Sequence, residues 1–372
     1  MEKIYDFLII GGGITGSSLA YGLSKECSLD IAMVDAYDHT YRASVGNYGL
    51  TWLQSKGYKN PFYAQMTERA IYLWKDFAKE IEKKSGINIE YEQTGGFHFC
   101  FNKEDFDKRK EKMDLINTYY KHENTRTIML DKEETRELYP HLGEDVFGSS
   151  YNKLDGYLSP GQLLKALIKL CKEQNVNLIS NYCTSTIKKE KDVYIVTSED
   201  GRILKTKQLV LAAGLSNKKL AKQLNVDVPI NPEKGHILVC QKVSNLKLLP
   251  SLDIRQSQDG TILLGYSNED RGYDLSIEED VVQRIINNAV KILPMLKDMN
   301  LIRSWSSLRI IPKDGKAIYD TIDSTLHVVS THSAITFAPV HVNEVSKSIL
   351  SGKMPDNLRD FSLKRFKEGV SQ

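Results

Sequence analysis

The feature that most constrains this chain is the run FLIIGGGITG near its start. Residues 7–10 are continuously apolar, as a buried strand requires. Gly11, Gly12, Gly13, Ile14, Thr15 and Gly16 then fit G-x-G-x-x-G. Ile14, Leu19, Ala20 and Leu23 follow at helical spacing, and a second apolar run, LDIAMVD, ends at Asp35. Each part has a physical task. Gly11 permits the tight turn, Gly13 lets the backbone approach a pyrophosphate, and Gly16 lets helix and strand pack closely. The first N–H groups of the helix, around Ile14 and Thr15, lack intrahelical acceptors and face phosphate with the positive end of the helix dipole. Asp35, at the end of the second strand, is placed to accept from ribose hydroxyls. Strand, turn, helix, strand and acid agree on dinucleotide binding. The carboxylate of Asp35 disfavours a 2′-phosphate, which leaves FAD and NAD open and makes NADP the poorer choice.

The remaining composition excludes several alternatives. The chain has 372 residues, 26% of them charged and 41% apolar, with a formal net charge of +2. Nothing in that balance calls for nucleic acid or an anionic membrane as partner. No apolar run reaches the roughly 18 residues of a spanning helix, so the expectation is a cytoplasmic protein without an integral membrane segment. Five cysteines (Cys27, Cys100, Cys171, Cys183, Cys240) show no CxxC pair and no ligand spacing with histidine. Free buried thiols are expected, and no metal or iron–sulfur site. Helical patterns over Pro61–Ser85, 161–174 and 277–296 alternate with strand-like runs at 192–197, Ile203–Leu211, 237–243 and 261–266, as in an α/β protein.

The segment RASVGNYGLTWLQSKGYKNPFYAQMTERAIYLW follows Asp35 closely. With its Ala43, Ser44, Asn47 and Gly49 it resembles the corresponding stretch of the D-amino-acid oxidase superfamily of flavoproteins. Its core, GNYGLTWLQSKG, is similar to the branch that holds opine oxidase B subunits, hydrogen cyanide synthase C subunits and catalytic subunits of D-hydroxyproline dehydrogenases. The likeness continues in order through QTGGFHFCFNKE, YNKLDGYLSPGQLLKALIKLC, LVLAAGLSN, NPEKGHILV, ILLGYSNED, WSSLRIIPKDGKAIYD and THSAITFAPVHVNEVSKSIL.

That resemblance implies a Rossmann-like FAD-binding domain, α/β in class, with an interleaved mixed-sheet substrate domain. The implied division is 1–88, 147–224 and 306–372 for FAD and 89–146 and 225–305 for substrate. It implies FAD contacts by Gly11, Gly13, Ile14, Thr15, Gly16, Asp35, Arg42, Ala43, Ser44, Asn47, Tyr48, Gly49, Leu50, Cys183, Ala213 and Gly214. The backbone of Ser333, Ala334, Ile335, Thr336 and Phe337 would face the polar edge of the flavin, where N–H donors stabilise developing negative charge. Arg309 is expected to bind the substrate carboxylate with its planar fork. His332, His236 and Tyr266 are candidate pocket groups, with structural roles open for each: His332 as a cationic neighbour of the flavin or a hydrogen-bonded structural residue, His236 as a half-buried strand histidine, Tyr266 as a strand-end tyrosine. His39 lies near a segment that could anchor flavin covalently but has no supporting pattern.

The implied activity is FAD-dependent oxidation of the C–N bond of an amino or imino acid by hydride transfer to flavin N5. The substrate would be a D-amino acid, D-proline or hydroxyproline, glycine or sarcosine, or an opine. Electrons would pass to oxygen or to an iron–sulfur partner subunit. A non-catalytic flavin-binding assembly subunit and an NAD-dependent dehydrogenase remain as alternatives, and oligomerisation stays open.

Overall fold

The computed structural model describes residues 3–26, 28–36, 43–244 and 246–367. Strand Ile4–Ile10 lies inside an eight-stranded sheet. Its parallel neighbours are Ile31–Val34 and Ile203–Leu211, flanked in turn by Asn177–Ile179 and Leu326–Ser330, also parallel. Ile318–Asp323, Val193–Ser198 and Thr184–Glu190 add antiparallel strands. Helices cover the central strands, which is why those strands are apolar throughout rather than alternating. Phe7, Leu8 and Ile9 are fully buried.

Helices Ile14–Glu26, Pro61–Ser85 and Pro160–Glu173 share one core with that sheet. The long helix has the expected bounds. Asn60 caps it by accepting from Tyr63 N–H, Pro61 opens it, and Gly86 ends it at φ 67°. Two expectations need revision. The pattern at 277–296 is helical only over Glu279–Ile292, and Pro294 starts a separate 3-10 turn because it cannot continue the α-helical bonding. The strand expected at 237–243 begins earlier, at Ile230. Its polar first half pairs with Leu301–Pro312, so the pairing partner makes it a strand where its own residues do not announce one.

A second core lies under a four-stranded sheet (Ile254–Gln256, Thr261–Leu264, Ile230–Lys242, Leu301–Pro312) and a three-stranded one (Gly96–Cys100, Gly148–Asn152, Ile128–Asp131). Phe97, Phe99, Leu238, Ile262 and Ile285 meet there. We propose that the domain boundaries fall after Asn152 and Pro312 rather than at 147 and 306, since those earlier limits detach Gly148–Asn152 from its sheet and cut through Leu301–Pro312.

Candidate active site

The carboxyl ends of the parallel strands converge, as they do at a ligand site of an open α/β sheet. Gly11 follows the first strand at φ +112°, and a Cβ there would strike Ala212 O. Only glycine fits both demands. Gly16 is equally confined, against Gly11 O. The Asp35 carboxylate accepts from Gly12 N–H at 2.6 Å, and Ser44 Oγ accepts from Ile14 N–H at 2.9 Å. Tyr182 N–H bonds Asp35 O, which brings Cys183 to the same corner. Asn217 ties the ends of two strands together: its Oδ1 accepts from Ala213 N–H, and its Nδ2 donates to Val329 O and Ser330 Oγ. Gly214 turns the chain away at φ +58°.

Among the described residues only Ser44 would come near a Cβ at Gly13. The N–H groups of Gly13 and Thr15 donate to no protein acceptor among the described residues. Arg42 and His39 lie outside the described residues.

A cavity of about 780 Å³ continues from this end toward the second core. Its walls come from the segment 43–56, the turn after Leu326–Ser330, the strands Ile230–Lys242 and Leu301–Pro312, and helix Lys103–Asn117. The turn is held from outside: Trp52 N–H donates to Thr336 Oγ1 at 3.3 Å, and Trp74 Nε1 donates to Thr336 O at 2.9 Å. Ala334, Ile335 and Thr336 donate their N–H groups to no protein acceptor among the described residues, and Ile335 and Thr336 line the cavity. Phe337 differs from the expectation. Its N–H is used on Ser333 O, and its ring packs edge-on against Tyr63 in the core, 5.5 Å between centroids.

Ala43, Asn47, Tyr48 and Leu50 line the cavity. Asn47 Oδ1 accepts from Gly49 N–H, an Asx turn. The glycine at 49 is required by the protein itself: at φ +91° its missing Cβ makes room for Leu158 O. Tyr48 faces inward, crosses the cavity wall and donates to Leu263 O at 3.0 Å. Burial holds its phenol well above the ordinary range.

Arg309 stands on Leu301–Pro312 with its guanidinium flat against Gly235, where any Cβ would displace it. Its bonds to Glu233 Oε1 (3.1 Å), Lys234 O (3.3 Å) and Asn268 Oδ1 (2.9 Å) all leave from Nη1. The Nε–Nη2 edge has no protein acceptor among the described residues, and that edge is the fork a carboxylate takes.

His332 lines the cavity but is no cation. Burial, with Lys56 and Arg309 nearby, holds its imidazole well below the ordinary value. His236 is spent on structure. Nε2 accepts from Glu278 N–H at 3.3 Å, and Nδ1 faces Glu269 Oε2 at 3.2 Å. With both nitrogens engaged it has none for chemistry. Tyr266 borders the cavity half exposed, at φ 71°, a costly backbone for an aromatic residue.

Several groups escaped the sequence reading. Lys56 Nζ donates to Ser333 Oγ at 2.7 Å and lies 3.3 Å from His332 Nδ1. Burial and Arg309 bring its ammonium down to about 8. Lys56 stands inside the GNYGLTWLQSKG motif, so that motif was its only signal. Asp155, inside the core beside Gln54, is pushed up to about 7 by burial. Asp253 and Arg109 also line the cavity. Cys100, Cys171 and Cys240 are free and buried, Cys183 is half-buried, and no described residues form a metal-holding group.

Free backbone donors at the phosphate turn and again along the cavity wall suit a pyrophosphate at one end and an electron-rich ring at the other. Fold and site together define an FAD-dependent oxidoreductase. The chain belongs to the DAO family of FAD dependent oxidoreductases, whose model matches residues 6–344. It is 32% identical over 363 residues to the opine oxidase B subunit of Rhizobium meliloti, covering 97% of each chain. It is 24% identical to the hydrogen cyanide synthase component HcnC of Pseudomonas aeruginosa, also named as a subunit, covering 83% of this chain and 82% of that one. Its fold is similar to the crystal structure of glycine oxidase from Geobacillus kaustophilus, with a TM-score of 0.88, 20% identity and coverage of 97% and 98%. Among the described residues no helix is long and apolar enough to cross a membrane.

Proposed function

We propose that this protein oxidises the C–N bond of an amino or imino acid. The observation that carries the reading is that Arg309, whose Nε–Nη2 edge has no protein acceptor among the described residues, lines the same cavity as Lys56, Ile335 and Thr336. Arg309 grips the substrate carboxylate and so fixes Cα within the cavity. Lys56, neutral above about pH 8, takes a proton from the substrate ammonium, leaving the amine lone pair free to form the imine. The amides of Ala334, Ile335 and Thr336, with Gly13, Thr15 and Asp35 at the far end, are the groups that would hold FAD. Bound FAD supplies the acceptor for the hydrogen and two electrons leaving Cα. Ile310, Trp52 and Leu50 keep water from the reacting bond. The imine is then hydrolysed.

Glycine and opines are substrates in the names of its relatives, and sarcosine, D-amino acids and D-proline share the same chemistry. Because relatives are named as subunits, we further propose that a partner subunit receives the electrons. Anaerobic bleaching of the purified yellow protein by a panel of these amines tests the first claim, which fails if none bleaches it. Peroxide formation by the isolated chain in air, at the rate of bleaching, would rule out the need for a partner.

A further inference from the structure

Helix Lys103–Asn117 is a charged, mostly exposed helix that nevertheless buries Arg109, 6% exposed, against the cavity. A buried guanidinium normally has a carboxylate partner. Among the described residues Arg109 has only neutral ones. Nε donates to Ser150 Oγ at 2.8 Å, Nη2 to Gln54 Oε1 at 2.9 Å, and Nη1 to Ser55 Oγ. The carboxylate of Asp155 is reached only through Gln54, whose Nε2 donates to it at 2.8 Å.

The surroundings sharpen the imbalance. Lys112, one turn along the same helix, also lines the cavity and has no carboxylate partner among the described residues; its Nζ sits 5.3 Å from the Tyr58 ring. His98 Nδ1 is buried there without a hydrogen-bond partner among the described residues. The acids on the cavity wall do not cancel these charges. Glu233 pairs with Arg309, and Asp105 bonds Asn102 at the helix start. Asp253 has no cation partner among the described residues, and its carboxyl is pushed up to about 7 by burial. Two guanidinium donors on Arg109 remain unused. An anion entering the cavity would find them on a wall separate from that of Arg309.

We propose that Arg109, supported by Lys112 and His98, forms a second anion subsite that takes a carboxylate carried on the side chain or nitrogen substituent of the substrate, whose class is therefore an amino dicarboxylic acid. The proposal rests on the reading of this cavity as the substrate site. Arg309 holds the carboxylate beside the reacting carbon, and Arg109 holds the distal one. The distance between two carboxylates then becomes a selection rule, which a monocarboxylic amine such as sarcosine cannot satisfy.

The test uses the FAD-loaded protein. Calorimetric titration with glutarate and butyrate compares two carboxylates with one and needs no turnover. Glutarate is expected to bind roughly 10- to 100-fold more tightly, the size of a charge-assisted hydrogen bond. Arg109→Gln should bring that ratio close to one, Arg109→Lys should lower it partway, and Lys112→Gln should lower it less. Flavin reduction by iminodiacetate and by sarcosine should show the same loss of preference. Equal wild-type affinities, or a ratio unchanged in Arg109→Gln and Lys112→Gln, overturns the subsite. If Arg109→Gln loses its flavin or its cooperative melt, Arg109→Lys and Lys112→Gln decide: a lowered ratio supports the subsite and an unchanged one overturns it. If no amine reduces the flavin, the oxidation reading fails, while the glutarate-to-butyrate ratio still decides the subsite.

Discussion

At the nucleotide end of the site the groups facing the ligand are largely backbone amides, set by glycines in one short segment. In the cavity they are side chains from five separate stretches of chain: Lys56, His98, Arg109, Asp253 and Arg309. The first end is built by local geometry, the second by tertiary assembly. A backbone site restricts its residues to those with the right conformation, so it leaves a motif. A side-chain site restricts only what the folded chain brings together, so it leaves little trace in the order of residues.

The sharpest way to break this comparison is Gly11→Ala. The residue is at φ +112°, and the added methyl meets Ala212 O. Strain of about 1–3 kcal/mol is expected, concentrated in the turn proposed to receive the pyrophosphate. Bound flavin, measured as flavin absorbance relative to protein absorbance after purification, should fall by at least roughly tenfold. Retention of full flavin would show that the phosphate end does not depend on backbone geometry. At the other end, Arg309→Lys keeps the charge and loses the planar fork. Carboxylate inhibitors should bind roughly 10- to 100-fold more weakly, with flavin content unchanged. If inhibitor binding is unaltered, Arg309 is an ion-pair partner of Glu233 and nothing more.

The same division explains which parts of the molecule are legible in the order of its residues. The Gly11–Gly16 turn, Asp35, the helix Pro61–Ser85 and the strand Ile203–Leu211 follow from glycine placement, capping and apolar runs, all of them local. The early half of Ile230–Lys242 did not, because Asn231, Pro232, Glu233 and Lys234 become strand residues only by pairing with Leu301–Pro312. Arg109 sits in KEDFDKRKEKMD, where it looks like one more solvated charge. Its burial depends on Ser150 and Gln54, far away in sequence. His236 shows the converse: its place in a motif leaves a pocket role open beside a structural one, and only the fold shows Glu269 and Glu278 N–H engaging its ring. Gly49 shows that a motif glycine can be required by the neighbouring chain.

Lys56 tests the cavity side at smaller amplitude. Its folded value lies near 8 against 10.5 for an ordinary lysine. In the proposed reaction the neutral form accepts the proton, so amine-dependent flavin reduction should rise with pH through about 8 and fall below it. Lys56→Met should reduce the rate and remove that step from the pH profile. The linkage has a second consequence. Between about pH 8 and 10.5 the native state binds fewer protons at this group than the unfolded chain does, so its contribution to stability rises with pH across that window and is least favourable below it. Lys56→Met should therefore raise the melting temperature at pH 7 more than at pH 10. An unchanged pH profile in the variant would remove Lys56 from the proton path.

The smallest expected effect falls on the residue that joins the two regions. Tyr48 belongs to the motif segment, yet its hydroxyl donates to Leu263 O on the four-stranded sheet, and its ring packs on Gly265. Tyr48→Phe keeps the ring and removes one buried hydrogen bond, leaving Leu263 O without that donor. A loss of about 1 kcal/mol in unfolding free energy follows, read from the midpoint of a denaturant titration. Flavin content should hold, because the backbone of the segment is fixed separately by Asn47 Oδ1 and by Leu158 N–H. The Km for the amine should rise by a small factor, since the segment would still sit in place while its tie to the opposite wall loosens. If flavin is lost instead, the phenol is part of the cofactor site and the boundary between the two regions runs through Tyr48 rather than beyond it.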